Sequence, residues 1–305
     1  MSIFPTRILL ATDGSEEAQL AATAAVDLAK TTGSELHLVS VFPGPEYVLP
    51  YYETHYPDAA ARLRSEAREE RQKVLDERVE RIREAGGSVA QTHIREGGPA
   101  QEIVGLAEEI GAGLVAVGSR GLGRVSRMLM GNVSDSVVRH AHCPVMVVRG
   151  FAGGKAFAFP AKILLATDAS EESRLAATTA ADMAQRTGSE LHVVHVGELR
   201  PVIHPERHGY HARYEELREG AQRQLEKQVE EIVSTGGTVA KTHLRMGRPD
   251  EEIVLLGEET GADLIVMGSR GVGGIRRALV GSVSDSVVRH AHCPVLVVRN
   301  TEGKT

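Results

Sequence analysis

Gly131-Asn-Val-Ser-Asp-Ser-Val-Val-Arg-His-Ala-His-Cys-Pro-Val-Met-Val-Val-Arg149 returns as Gly281-Ser-Val-Ser-Asp-Ser-Val-Val-Arg-His-Ala-His-Cys-Pro-Val-Leu-Val-Val-Arg299, with 17 of 19 residues identical. The offset between the two stretches is 150 residues (281 − 131). Upstream, Arg7-Ile-Leu-Leu-Ala-Thr-Asp13 recurs as Lys162-Ile-Leu-Leu-Ala-Thr-Asp168, an offset of 155 (168 − 13). The second copy is therefore five residues shorter (155 − 150) between these blocks, in the stretch Pro43 to Pro57 against Gly197 to Gly209. A repeat of this kind settles the organisation before any local reading. The expected domains are 1–150 and 160–300, joined by a Gly-containing linker from Gly150 to Pro160.

Within a copy, strand and helix patterns alternate. Ile8 to Ala11 is a short aliphatic run ending at Asp13, and Ser15 to Thr32 is an Ala- and Leu-rich helix stopped by Gly33. Leu36 to Phe42 and Ser88 to Ile94 predict further strands, with a charged helix from Asp58 to Ala85 between them. The apolar positions of that helix are Leu63, Ala67, Val74, Val79 and Ile82, and its charges read as a solvated face of i,i+4 pairs. A helix opened by Pro99, a strand at Leu114 to Val117, a helix at Ser134 to His142 and a strand at Val145 to Val148 complete the copy. Alternation of this kind predicts an α/β fold with a parallel sheet and right-handed crossovers. Leu114-Val-Ala-Val117 and Val145-Met-Val-Val148 are apolar throughout, as in strands covered by helices on both faces.

The chain has 305 residues, 42% hydrophobic and 25% charged, the balance of a globular protein. Its net charge of −6 argues against nucleic acid as a partner. Arg7 opens a strand without a cationic start and long apolar stretch before it, so no secretory segment is expected. No apolar run approaches the roughly 20 residues that cross a bilayer, so no membrane partner is expected either. The only cysteines, Cys143 and Cys293, occupy one place in the two copies, which fits a reducing cytoplasm.

In an open parallel sheet, ligands bind beyond the carboxyl ends of the strands. Gly118-Ser-Arg-Gly121 follows the fourth strand, and nine residues later Gly131-Asn132-Val133-Ser134 opens a helix. The second copy has Gly268-Ser-Arg-Gly271, nine residues, then Gly281-Ser282-Val283-Ser284. Glycines let backbone approach a ligand, and the N–H groups of a helix start favour phosphate. Ser hydroxyls add donors, and Arg120 and Arg270 add charge. A plainer reading also stands: the glycines make a tight turn, and the serines cap a helix. Asp13 and Asp168 can cap the following helix, touch a ligand, or do both.

The Gly-x2-Gly-x9-Gly-Ser/Thr spacing, the strand ending in Ala-Thr-Asp and the final Cys-Pro-Val-aliphatic strand together resemble the universal stress protein family, over nearly all of both copies. The resemblance implies two tandem three-layer, Rossmann-like domains, each a five-stranded parallel sheet of order 3-2-1-4-5. It implies ATP, with Mg2+, at the strand ends of each domain. Asp13, Val41 and Val117 would lie against adenosine in the first copy, and Asp168, Val196 and Met267 in the second, with Ala11, Thr12, Ala166 and Thr167 also among the ATP-binding residues. Gly118, Arg120, Gly121, Gly131, Asn132, Val133 and Ser134 would line the phosphate side, matched by Gly268, Arg270, Gly271, Gly281, Ser282, Val283 and Ser284. Asn132 departs from the hydroxyl residue of the pattern, so the second site is expected to hold triphosphate more tightly. Family members pair through their fifth strands, which would make Val145–Val148 and Val295–Val298 an intramolecular pseudo-dimer interface, with a further homodimer possible in principle and a signalling partner unknown.

Other motifs fail. Gly153-Gly154-Lys155 imitates a P-loop, but Arg149 and Ala156 break it at both ends. Gly121-Leu-Gly123 is followed by Ser126 where a dinucleotide fingerprint needs Gly or Ala. Ala-Thr-Asp-Gly-Ser replaces the Ser-Gly-Gly-x-Asp-Ser of the ATP pyrophosphatases. His140, His142 and Cys143, with His290, His292 and Cys293, do not have the separated spacing of a metal site, and His204, His208 and His211 read as a solvated loop. The expected function is an ATP-binding regulatory protein of the stress response. The competing functions are a slow ATP hydrolase, for which no general base or nucleophile pair stands out, and a nucleotide-free scaffold.

Overall fold

The computed structural model of the chain describes residues 6–42, 44, 54–121, 131–149, 161–198, 210–271 and 280–299. The chain divides into two compact units, Ser2–Ala158 and Phe159–Thr305. The expected linker, the P-loop imitation, the dinucleotide near-match beyond Gly121 and the histidines at 204 and 208 lie outside the described residues, as does the side chain of His211.

The first unit runs β1 (Arg7–Ala11), α1 (Glu16–Thr32), β2 (Glu35–Phe42), α2 (Pro57–Glu84), β3 (Gln91–Glu96), α3 (Pro99–Glu109), β4 (Leu114–Gly118), α4 (Asn132–His140) and β5 (Val145–Val148). The second repeats it as β6 (Lys162–Thr167), α5 (Glu171–Thr187), β7 (Glu190–Glu198), α6 (Tyr210–Ser234), β8 (Lys241–Gly247), α7 (Pro249–Thr260), β9 (Leu264–Gly268), α8 (Ser282–His290) and β10 (Val295–Val298). Within the first unit the strands pair in parallel in the order β3-β2-β1-β4-β5. Within the second the order is β8-β7-β6-β9-β10, again parallel. Both match the order that the resemblance implied. In each unit the chain reverses its direction of winding beside the first strand, between β1 and β4 or β6 and β9, which opens a crevice at the carboxyl ends.

The core follows from the apolar runs. Ile8, Leu9, Leu10, Val115 and Ala116 are all 0% exposed, because helices cover both faces of the central strands. α1 packs on β1, β4 and β5 and touches α2, while α3 packs on α4, so each sheet lies between two helix layers. Ser15 caps α1 by accepting the Ala18 N–H, Glu16 and Glu17 complement its first turn, and Gly33 ends it in a left-handed conformation. Ser170 and Gly188 do the same for α5.

Three readings shift. β3 begins at Gln91 rather than Ser88, since ladder pairing with β2 starts at the His37–Gln91 pair. α4 starts at Asn132 and stops at His140, because Ala141 leaves helical geometry (ψ 140°) ahead of Pro144. On α2 the inward residues are Ala60, Leu75, Arg78 and Ile82, whereas Leu63 is 49% exposed. Most of the α2 charge is solvated as expected, and buried Arg78 is an exception.

Candidate functional site

The carboxyl end of β1 is shaped by Asp13. Its Oδ1 accepts the Ser15 N–H at 2.9 Å, an Asx turn that aims the chain into α1. Ser15, not Asp13, caps the helix. The other oxygen, Oδ2, lies over the loop after β4: a Cβ added to Gly121 would stand 2.3 Å from it. Asp13 thus joins the ends of β1 and β4 across the crevice. The second domain repeats the clasp, with Ser170 N–H donating to Asp168 Oδ1 at 3.0 Å and a Gly271 Cβ 2.3 Å from Asp168 Oδ2.

The glycine that ends β4 has a different reason. A Cβ on Gly118 would lie 2.8 Å from the Glu17 carbonyl carbon and 2.9 Å from the Ala18 nitrogen, so the first turn of α1 rests directly on this residue. Gly268 meets Glu172 and Ser173 in the same way. This approach also brings Glu17 to Arg120 as an ion pair, and Glu172 to Arg270 at 3.0 Å. Both arginines expected to face phosphate are therefore already paired with the first helix. Arg149, just past β5, adds a cation that the sequence reading missed. Its Nε and Nη2 find no hydrogen-bond partner among the described residues. Burial lowers its proton affinity, Arg120 lowers it further, and Glu17 acts in the opposite direction. Arg120 and Arg149 share the field of Glu17, leaving net positive charge beside the loop. The VVR ending shared by β5 and β10 carried a signal for it.

Past the loop, Gly131 is the N-cap of α4 and makes no side-chain capping bond. Its own N–H donates to Ser119 O at 2.8 Å, which ties the helix start to the end of β4. The Ser134 hydroxyl donates to Ser119 O at 2.9 Å and lies 3.0 Å from Gly131 O, so it faces the turn. Ser284 likewise donates to Gly268 O and Ser269 O. The serines hold the turn, and what this helix start offers outward is backbone N–H together with the exposed residues Asn132 and Val133, or Ser282 in the second domain. Ser119, 0% exposed, has a hydroxyl without a partner among the described residues.

The remaining candidates flank this centre. Ala11 pairs with Val39 on β2, one residue past the Leu10–Ala116 pair that ends the β1–β4 ladder. Thr12 extends β1 by donating its N–H to Val39 O at 2.9 Å. Val117 and Met267 are buried under the strand ends, as are Ala166 and Thr167, while Val41 and Val196 are partly exposed near the ends of β2 and β7. The described end of β4, Ser119 to Gly121, brings Asp13, Gly131 and Ser134 together.

The repeated histidines act locally. His140 Nδ1 is 2.8 Å from Ser136 O, and His142 pairs with Glu108 as His292 does with Glu258. No group of three or more His, Cys, Asp or Glu side chains gathers as a metal site among the described residues. Cys143 and Cys293 are buried, and burial first, then Asp263, pushes the Cys293 thiol up to about 12. No helix among the described residues is long and apolar enough to cross a membrane.

A sequence profile of the universal stress protein family matches residues 5–149 and again residues 161–299. The chain belongs to the universal stress protein family. It is 33% identical over 235 residues to a universal stress protein of Mycolicibacterium smegmatis, covering 76% of this chain and 75% of that one. A universal stress protein of Methanocaldococcus jannaschii is 37% identical over 139 residues, 45% of this chain and 81% of the relative. Among solved structures, a universal stress protein from Archaeoglobus fulgidus superposes with a TM-score of 0.67 at 27% identity, over 98% of this chain and 97% of that one. Two universal stress protein domains thus follow one another in this chain, each with its own aspartate clasp and glycine loop.

Proposed function

We propose that each universal stress protein domain binds ATP, carried with Mg2+, at the carboxyl ends of its first and fourth strands, and that occupancy regulates what the protein does under stress. The observation that carries this reading is the clasp. Asp13 Oδ2 against Gly121, and Asp168 Oδ2 against Gly271, hold a carboxylate beside a loop that ends in a helix start without a side-chain cap. A ribose hydroxyl suits the carboxylate, and phosphates suit backbone N–H at the helix start, backed by Arg149 in the first domain. Mg2+ would screen the charge of the triphosphate. The Ser134 and Ser284 hydroxyls would act by fixing the loop, and Arg120 and Arg270 by fixing the first helix against it.

Regulation is favoured over turnover by how the acidic group is used. One oxygen of Asp13 is engaged in the turn and the other is directed at the loop, so it serves to shape the cleft more than to activate water. Analysis of nucleotide released from the purified, denatured chain tests the reading: ATP in excess of GTP is expected. Turnover of about 1 per second or faster would mark an ordinary enzyme and overturn the regulatory part.

A further inference from the structure

The two domains differ beneath the end of the first strand, where α2 and α6 reach the turn that follows it. Leu75 and Ile82 of α2 correspond to Leu225 and Ile232 of α6, all four buried. Between them stands Arg78 in the first domain and Gln228 in the second, 4% and 2% exposed. The neighbours on this helix change with them: Arg71 and Arg81 become Ala221 and Glu231. Three cations at these positions face one anion, a difference of four charges (+3 against −1).

In the second domain the polar groups here satisfy one another. Thr167 Oγ1 donates to Gln228 Oε1 at 2.9 Å and lies 3.2 Å from Ser173 Oγ. Gln228 Nε2 donates to Glu231 at 3.2 Å, and His195 Nδ1 meets Thr167 O at 2.8 Å. In the first domain the equivalent set is Thr12, Ala18, Arg78, Arg81 and Ser40, and the network is gone. Arg78 Nε and Nη1 and Ser40 Oγ have no hydrogen-bond partner among the described residues, though Ser40 is 0% exposed. Arg78 lies one turn beyond Val74, whose methyl groups would be 3.7 Å from a Cβ on Gly14 in the Asp13 turn. Burial lowers the proton affinity of Arg78 and Arg81 lowers it further, while the Asp13 carboxylate raises it, which sets the guanidinium within the field of the clasp.

A buried guanidinium with open N–H groups is costly unless an anion meets it. A hydroxyl donor on the neighbouring strand and the positive field of Arg81, itself bonded to Gln19, favour an oxyanion over water. We propose that the first domain carries, under the end of β1, an oxyanion subsite of the phosphate class built on Arg78 and Ser40, and that the second domain lacks it. The subsite stands on these buried groups and goes beyond the ATP reading. Its phosphate-class ligand is either a phosphoryl group of the nucleotide or free inorganic phosphate.

The test uses the full chain and calorimetric titration with inorganic phosphate, with ATP, and with ATP after phosphate. Arg78→Gln combined with Ala18→Ser installs the glutamine and serine that meet the threonine hydroxyl in the second domain, so folding is expected to survive, and a melting curve checks it. The parent should bind one phosphate-class group more than the double variant, whose affinity for it falls roughly ten- to hundredfold. Competition between ATP and phosphate assigns the subsite to the nucleotide's own phosphoryl group, and independent binding assigns it to free phosphate. Loss of phosphate binding in the variant when ATP binds neither domain upholds the subsite and removes the nucleotide reading. Unchanged phosphate and ATP isotherms in a folded double variant overturn the subsite and leave the nucleotide reading standing.

Discussion

At the end of β1, Thr12-Asp13-Gly14 turns beneath a helix that presents Arg78; at the end of β6, Thr167-Asp168-Ala169 turns beneath one that presents Gln228. The glycines that follow the fourth strand of each domain, by contrast, meet the same neighbours. Gly118 and Gly268 both leave no room for a Cβ beside the first helix, and a Cβ added to Gly121 or Gly271 would stand 2.3 Å from an aspartate oxygen. The copies agree where backbone meets backbone, since no side-chain change can relieve such a contact. They differ where side chains meet, since a hydrogen-bond network can be rebuilt with other residues. Position 14 shows the cost of one difference. Gly14 has φ +91°, and its counterpart Ala169 holds φ +66°, a left-handed conformation that strains a residue with a Cβ.

The largest effect expected falls on what the domains share. Gly121→Ala drives a methyl into Asp13 Oδ2 and should displace the carboxylate, lowering ATP affinity of the first site by roughly ten- to hundredfold. A two-site isotherm in which the first site is unaltered would show that the clasp does not form the ligand site. Gln228→Ala should come next, since it leaves the Thr167 hydroxyl and Glu231 without their partner in a buried place. The second domain is expected to lose about 1–3 kcal/mol by denaturant melting. Arg78→Gln in the presence of Ala18→Ser should not destabilise the first domain in the same way, because the glutamine and serine can bond the Thr12 hydroxyl. A smaller pair of changes probes the turn. Ala169→Gly should stabilise the second domain, and Gly14→Ala should destabilise the first, each by about 1 kcal/mol.

The smallest effect is expected with acid. His37 and His93 meet at 3.2 Å on β2 and β3, and His192 and His243 meet at 3.2 Å on β7 and β8. Burial lowers the proton affinity of His93 and of His192, and burial followed by His192 lowers His243 to about 4. A histidine whose folded value lies below its unfolded one contributes stability above the unfolded value and loses it as pH falls toward the folded one. Both domains should therefore weaken between about pH 6.5 and 4. The second should weaken more, with two depressed groups. His243→Gln should flatten the pH dependence of its melting midpoint, and an equal slope in parent and variant would count against the pair as its source.

Much of this was readable without coordinates, for physical reasons. The repeat, the apolar strands and the Ser15 and Gly33 helix signals fixed the elements because each is a local rule. The Asp13 and Gly121 candidates were found by position, yet their contact was not, because it joins residues 108 apart (121 − 13). The Arg120–Glu17 pair joins residues 103 apart (120 − 17) and is hidden for the same reason. The sequence marks Ser134 as a candidate, but whether its hydroxyl faces ligand or turn depends on where Ser119 O lies. Arg78 was invisible for another reason: in a helix as charged as α2, one buried arginine looks like its solvated neighbours. The Asn132 and Ser282 difference was visible, and an Arg78 subsite that takes the nucleotide's own phosphoryl group acts on the first site in the opposite direction. Isotherms of Asn132→Ser and of the Arg78→Gln double variant separate the two.

The central claim, that each domain holds ATP in its own clasp, meets its most direct test in calorimetric titration of the full chain with ATP and Mg2+. Two sites per chain are expected, with Asp13→Ala removing one and Asp168→Ala removing the other. A single site, or two sites that survive both substitutions, would contradict the account.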